Sequence, residues 1–180
     1  YLDENDIKTK AIILPQGIPY DIYNSKRKIT DKKILYELNN NYFKVCYSGS
    51  IGISNNLENF FDTAIKLKDK KIKFFVLGDG DLKNHFIKKC KNNKNIVFIE
   101  KIKREYIYDF LSKCDLAYDS TMDKSIYKYG LSRQKWIDYL LSSLPIIVSF
   151  SGFRSIINEC KCGKFIDSNS KEDLKKLILN

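Results

Sequence analysis

From Phe43 onward, short apolar runs alternate with segments whose apolar residues recur every three or four positions. The runs at 43–48, 72–77, 95–100, 115–118, 145–150 and 163–167 predict six strands. The periodic segments between them predict helices. In 55–68, Leu57, Phe60, Phe61, Ala64 and Ile65 make one apolar face. Further helices are predicted over 81–91, over 104–114 (Tyr106, Ile107, Phe110 and Leu111 inward), from about Ser132, and over 153–159 and 171–179. Strands and helices alternating across short loops specify a parallel sheet covered on both faces. The predicted fold is therefore Rossmann-like α/β, a three-layer α/β/α arrangement with a mostly parallel sheet of about six strands. Ligands of such sheets sit beyond the C-terminal strand ends, near the switch in strand order. The loops at 49–52, 78–81, 100–103 and 119–133 lie on that edge.

The first 42 residues break this rhythm. Residues 1–10 are polar, 11–15 predict a short apolar strand ending at Pro15, and 16–21 a turn. Residues 21–41 read as a connector with a peripheral helix near 32–39. The expected division is an N-terminal connector over 1–42 and the Rossmann-like domain over 43–180. A chain of 180 residues supports one well-buried core. Its start at Tyr1 rather than Met is expected of a piece of a longer protein.

A formal net charge of +10 favours anionic partners, although Lys, Asn and Ile are abundant throughout and explain much of it. The five cysteines lack CxxC spacing, and Cys46 and Cys114 sit in or beside apolar runs as expected of core thiols. Cys160 and Cys162 have no second pair or His nearby, so no zinc site and no other metal is expected. Free thiols point to a reducing, cytoplasmic compartment. No membrane-length apolar run is present.

The chemistry concentrates at 127–148, where a polar loop enters a helix that is followed by Pro145 and an apolar strand. Ser132 is the expected N-cap. Free N–H groups and the helix dipole there favour an anion, commonly phosphate. Arg133 and Lys135 add positive charge, Gln134 lies between them, and Asp138 stands one turn further in, placed to accept from ribose hydroxyls. Gly49, Ser50 and Gly52 let backbone approach a ligand after the first core strand, though an ordinary tight turn reads the same way. That loop is neither GxGxxG nor a P-loop, which disfavours a nicotinamide dinucleotide. Gly78-Asp-Gly80 reads as a turn first and a ligand loop second. Ile102, between Lys101 and Lys103, offers an apolar rest for a base, or else belongs to a solvated basic turn. Asp115, Asp119 and Asp123 cluster around the fourth strand and could serve as general bases or metal ligands, but loop carboxylates this common are more often solvated. His85 is the only histidine and lies in a lysine-rich helix, so no Ser/His/Asp or Cys/His arrangement can be drawn.

The order of these segments resembles the C-terminal domain of GT-B glycosyltransferases, specifically the glycosyl transferases group 1, or family four. The stretch at 12–21 resembles "viPNGvD", 47–52 "yaGslg", 75–81 "ivGdGp", 95–100 "nV.f.G" and 114–117 "aDv.l". The stretch at 129–147 is similar to "ygvSp.Kl.dYmaagkPvi". Many members carry two glutamates with seven residues between them around this helix start. The second holds the ribose, and Asp138 occupies it; the first falls on Gly130, which has no side chain.

The resemblance implies the donor-binding half of a retaining, metal-independent glycosyltransferase without a cofactor. Its donor is a nucleotide-activated sugar such as a UDP-sugar, and its acceptor a polysaccharide or lipid-linked glycan of a capsule or lipopolysaccharide. Donor contacts fall on Gly49, Ser50, Gly52, Ile102, Ser132, Arg133, Gln134, Lys135 and Asp138. In this fold an N-terminal domain carries the acceptor site and usually supplies catalytic groups, so no catalytic residue is assigned and this half is expected to be inactive alone. Lysine-rich faces suit peripheral docking to an anionic membrane. The rival reading is a non-enzymatic nucleotide- or nucleic-acid-binding module, whose binding would fall steeply with salt and ignore base identity.

Overall fold

The computed structural model describes residues 2–12, 14, 16–24, 27–151, 155–168 and 170–180. Its six strands are β1 (Phe43–Ser48), β2 (Ile72–Leu77), β3 (Ile96–Ile99), β4 (Leu116–Ser120), β5 (Ile146–Ser149) and β6 (Gly163–Ile166). The α-helices are α1 (Tyr20–Asn24), α2 (Lys32–Leu38), α3 (Glu58–Lys66), α4 (Lys83–Lys89), α5 (Ile107–Leu111), α6 (Gln134–Leu141), α7 (Ile156–Glu159) and α8 (Lys171–Leu179). The strands form one sheet in the order β3-β2-β1-β4-β5-β6, and every neighbouring pair is parallel.

Strand alternation splits the core into two clusters, one per face. Val45, Tyr47, Phe74, Val76 and Tyr118 point to the face packed with Phe60, Phe61 and Ala64 of α3 and Leu174 and Ile178 of α8. Cys46, Phe75, Leu77, Ala117 and Val148 point to the other, against Phe110 and Leu111 of α5 and Trp136 and Tyr139 of α6. Phe60 is the hub of the first cluster. Its ring meets Phe74 edge-on at 5.3 Å between centroids and lies 5.0 Å from that of Tyr118, geometries that add to plain area burial. The result is the predicted three-layer Rossmann-like fold.

The differences from the sequence reading are local. Ala11, Ile12 and Leu14 belong to no strand, and the apolar side chains of Ile12 and Leu14 are exposed rather than packed in the core. Ile13 and Pro15 of that predicted strand lie outside the described residues. The predicted turn at 16–21 ends in the first residues of α1. The helix predicted from 55 breaks into a 3-10 turn (Ile53–Asn55) and α3, because Asn56 takes a left-handed backbone (φ 42°). The helix predicted from 104 is likewise a 3-10 turn (Arg104–Tyr106) running into α5. In the helix predicted over 153–159, Phe153 and Arg154 lie outside the described residues, and α7 starts after Ser155, which caps it.

α2 covers the second cluster through Leu38 and is anchored at its start by Asp31, whose carboxylate accepts from the Lys33 and Ile34 N–H groups. Asp31→Ala is expected to cost about 1 kcal/mol, lowering the melting midpoint by about 2–4 °C. An unchanged midpoint would show that this cap is not formed in solution.

Candidate functional site

The chain leaves β1 toward β2 and returns across it to β4, so the switch in strand order falls between β1 and β4. These two strands pair only at Val45 with Leu116 and Cys46 with Ala117. Beyond that point they part, and the Tyr139 hydroxyl fills the gap, accepting from the Ser48 N–H at 2.9 Å. Burial of this hydroxyl pushes its pKa well above the usual tyrosine range.

Over the parted ends lies a cavity of about 890 Å³. The loop after β1 contributes Gly49 and Ser50, the loop after β2 Gly78–Asp81, the loop after β3 Lys101, Ile102 and Arg104, and the start of α6 Ser132–Lys135 and Asp138. The first two loops are zipped together: Gly49 N–H donates to Leu77 O and Ile51 N–H to Asp79 O. The approach is so close that a Cβ on Gly78 (φ +146°) would lie 1.9 Å from Gly49 O. The Gly78-Asp-Gly80 turn is thus both a packing element and a cavity wall.

The floor is polar. Asp119, near the end of β4, has no exposed side-chain surface. Lys135 Nζ (3.0 Å) and Trp136 Nε1 (2.8 Å) donate to it, and Arg133 Nε stands 3.6 Å away. Lys135 also donates to Tyr47 Oη at 3.1 Å and lies 4.2 Å from the centre of that ring, while Tyr47 Oη donates to Ser50 O at 2.6 Å. This chain of bonds ties the β1 loop to α6. Arg133 donates to Asn55 Oδ1 and Ser120 O, but its Nε is buried with no hydrogen-bond acceptor. One buried carboxylate therefore serves two cations. Burial pushes the Lys135 pKa below the ordinary lysine value; Asp119 acts against that shift and Arg133 adds to it. An anion arriving here would act in the same sense as Asp119.

A second polar group lies deeper along α6. Arg104 grips Asp138 with both terminal nitrogens, Nη1 to Oδ2 at 2.5 Å and Nη2 to Oδ1, and Tyr108 Oη donates to Oδ1 at 3.1 Å. The Asp138 side chain is 5% exposed and that of Arg104 35%. The hydrogen bond to Asp138 raises the Arg104 pKa.

Of the residues singled out in the sequence, Gly49, Ser50, Ile102, Ser132, Arg133, Gln134, Lys135 and Asp138 line this one cavity. Gly52 does not. Its carbonyl accepts from the Asn55 N–H, which turns the loop away into the 3-10 turn. Ser132 is not the N-cap of α6. Arg133 holds that position with extended backbone, and no side chain caps the helix. Gln134 Nε2 instead reaches the N-terminal segment, donating to Gly17 O at 3.3 Å. Of the three aspartates only Asp119 departs from the solvated reading, as the buried anchor just described; Asp115 and Asp123 are exposed, Asp115 also accepting from the Lys44 N–H and Asp123 from Ser151 and Ser168. Sequence reasoning missed Arg104, Asn55 and Tyr47. Only Arg104 carried a signal, lying just past the predicted ligand-side loop at 100–103.

A family model, glycosyl transferases group 1, matches residues 28–180. The chain belongs to this family. No curated protein matches the sequence. Among solved structures, WaaG, a glycosyltransferase involved in lipopolysaccharide biosynthesis, is similar with a TM-score of 0.67 and 16% identity, over 94% of this chain and 47% of that one. Anabaena Alr3699/HepE, solved in complex with UDP-glucose, is similar with a TM-score of 0.63 and 13% identity, over 91% and 45%. S. aureus TarM, as a mutant in complex with Fondaparinux, alpha-GlcNAc-glycerol and UDP, gives 0.60 and 14%, over 78% and 30%. At these identities the likeness is one of fold. The family member described here has the Rossmann-like architecture of one GT-B domain and spans less than half the length of those structures.

Proposed function

We propose that this chain is the donor-binding half of a glycosyltransferase, holding a nucleotide-activated sugar, preferably a UDP-sugar, in the cavity over the β1/β4 switch. The observation that carries this reading is the charge arrangement of the floor, where Lys135 and Arg133 share the single buried carboxylate of Asp119. A diphosphate supplies the missing negative charge, and the start of α6, uncapped by any side chain, adds its N–H groups and dipole. As the sugar leaves, charge develops on the diphosphate, and fixed cations lower the barrier by stabilising it. A cavity of about 890 Å³ is within the usual range for such ligands, and HepE, of like fold, is solved with UDP-glucose.

Retention of configuration, metal independence and a polysaccharide or lipid-linked acceptor follow from the family resemblance. In this reading a second domain supplies acceptor binding and the remaining catalytic groups. The enzyme works on the cytoplasmic side, docked peripherally at the membrane; no helix among the described residues is long and apolar enough to cross one.

The test is thermal unfolding with UDP, GDP, CDP and ADP, with and without magnesium. A nucleotide bound only by the folded state, at a hundredfold its dissociation constant, adds ~2.7 kcal/mol and visibly raises the midpoint. One base should stand out, with magnesium making no difference. In calorimetry, Lys135→Ala and Asp138→Ala should each lose at least about tenfold in affinity, the loss of one charge-assisted hydrogen bond. Undiminished binding in both variants rejects the site. The net charge of +10 is the one observation that favours a generic anion binder. Shifts with all four nucleotides that vanish together with added salt would favour it.

A further inference from the structure

The Asp138 carboxylate is nearly spent before any ligand arrives. A carboxylate offers about four acceptor positions, two on each oxygen. Arg104 Nη2 and Tyr108 Oη fill both on Oδ1, and Arg104 Nη1 fills one on Oδ2. A single position remains, on Oδ2. A ribose presents two neighbouring hydroxyls, and a free carboxylate can take both side by side. Here that is possible only if Arg104 lets go. Release would leave the carboxylate, 5% exposed, without its counter-charge. Stripping a buried charge of its partner costs more than two neutral hydroxyls return.

Resting on the donor-site reading above, we infer that Arg104 is a positioning and specificity-determining residue that restricts Asp138 to one ribose hydroxyl, accepted at Oδ2. The guanidinium stays in place when nucleotide binds. Two of its five N–H groups face Asp138, and its side chain is 35% exposed on the cavity wall, so it has donors left for the ligand. The second ribose hydroxyl faces no acceptor on Asp138.

The experiment compares UDP with 2′-deoxy-UDP and 3′-deoxy-UDP by calorimetry, on the wild-type chain and on Arg104→Lys. Lysine keeps a cation beside Asp138, so the fold is retained, but its ammonium cannot span both oxygens as the fork does. In the wild type, one deoxy form should lose about tenfold or more in affinity and the other should bind within about twofold of UDP. In Arg104→Lys an acceptor position facing the cavity is freed, and both deoxy forms should bind more weakly than UDP. This asymmetry is a ratio of ligands on one protein, which a loss of stability alone does not move. Equal losses for both deoxy forms in the wild type would overturn the inference while leaving the donor site intact. So would an unchanged one-sided pattern in Arg104→Lys. Failure of the wild type to bind UDP at all would instead overturn the donor-site reading, and this inference with it.

Discussion

Asp119→Ala should destabilise the protein by about 3–5 kcal/mol, the usual cost of stripping a buried charge of its partner. In a chain of this size that lowers the melting midpoint by on the order of 10 °C. None of the Asp119 side chain is exposed, and only 13% of Lys135 and 17% of Arg133. Without the carboxylate, two poorly hydrated cations face each other and the Trp136 N–H loses its acceptor. Asp119→Asn should be milder, because the amide oxygen can still accept from Trp136 or Lys135. The variant should also respond unusually to anions. If the floor is a phosphate site, a nucleoside diphosphate or plain phosphate should recover part of the lost midpoint in Asp119→Ala. A midpoint within about 2 °C of wild type would show that water reaches Lys135 and that the floor is not the dry charge trap described.

Gly78→Ala should be of similar size, about 2–5 kcal/mol, from a different cause. The new methyl carbon would lie 1.9 Å from Gly49 O, a backbone atom that cannot swing aside, and φ of +146° is unfavourable for any side chain. Relief requires the β1 and β2 loops to separate, breaking the bonds of Gly49 N–H to Leu77 O and Ile51 N–H to Asp79 O. Both loops wall the cavity, so nucleotide binding should fall together with stability. Gly17→Ala is the control, since an added Cβ there meets nothing within 4 Å. Urea denaturation of the pair should separate them clearly. Equal midpoints would mean that the two loops are further apart in solution than they are here.

What the sequence revealed depended on how local the cause was. β1 and β2 appear over the predicted residues because each is a largely buried run closed by a glycine at positive φ, Gly49 and Gly78. The start of α3 was not readable, because it is set by one left-handed residue, Asn56, and asparagine often occurs in ordinary helices and turns. Ser132 looked like a cap by residue type. Yet the chain enters α6 one residue later, where Arg133 is held by Asn55 and Ser120 from other elements. Asp119 was misread for the same kind of reason. A carboxylate in a polar stretch resembles a solvated one until the fold brings Lys135, Arg133 and Trp136 around it. The pairing of Arg104 with Asp138 joins two helical segments on one side of the sheet, and no spacing rule connects them.

The scant pairing between β1 and β4 also bears on how the chain acquires its shape. β1, β2 and β3 can assemble from one contiguous stretch, each strand pairing with a neighbour only one helix away. β1 gains its other neighbour only after Leu116 and Ala117 have been brought back across the nascent sheet. Closing that loop costs entropy before the two paired positions return anything, and it must be met before the second half of the sheet can add its own pairings. Pairing of β1 with β4 should therefore come late in folding and help set its rate, as non-local parallel pairing generally does.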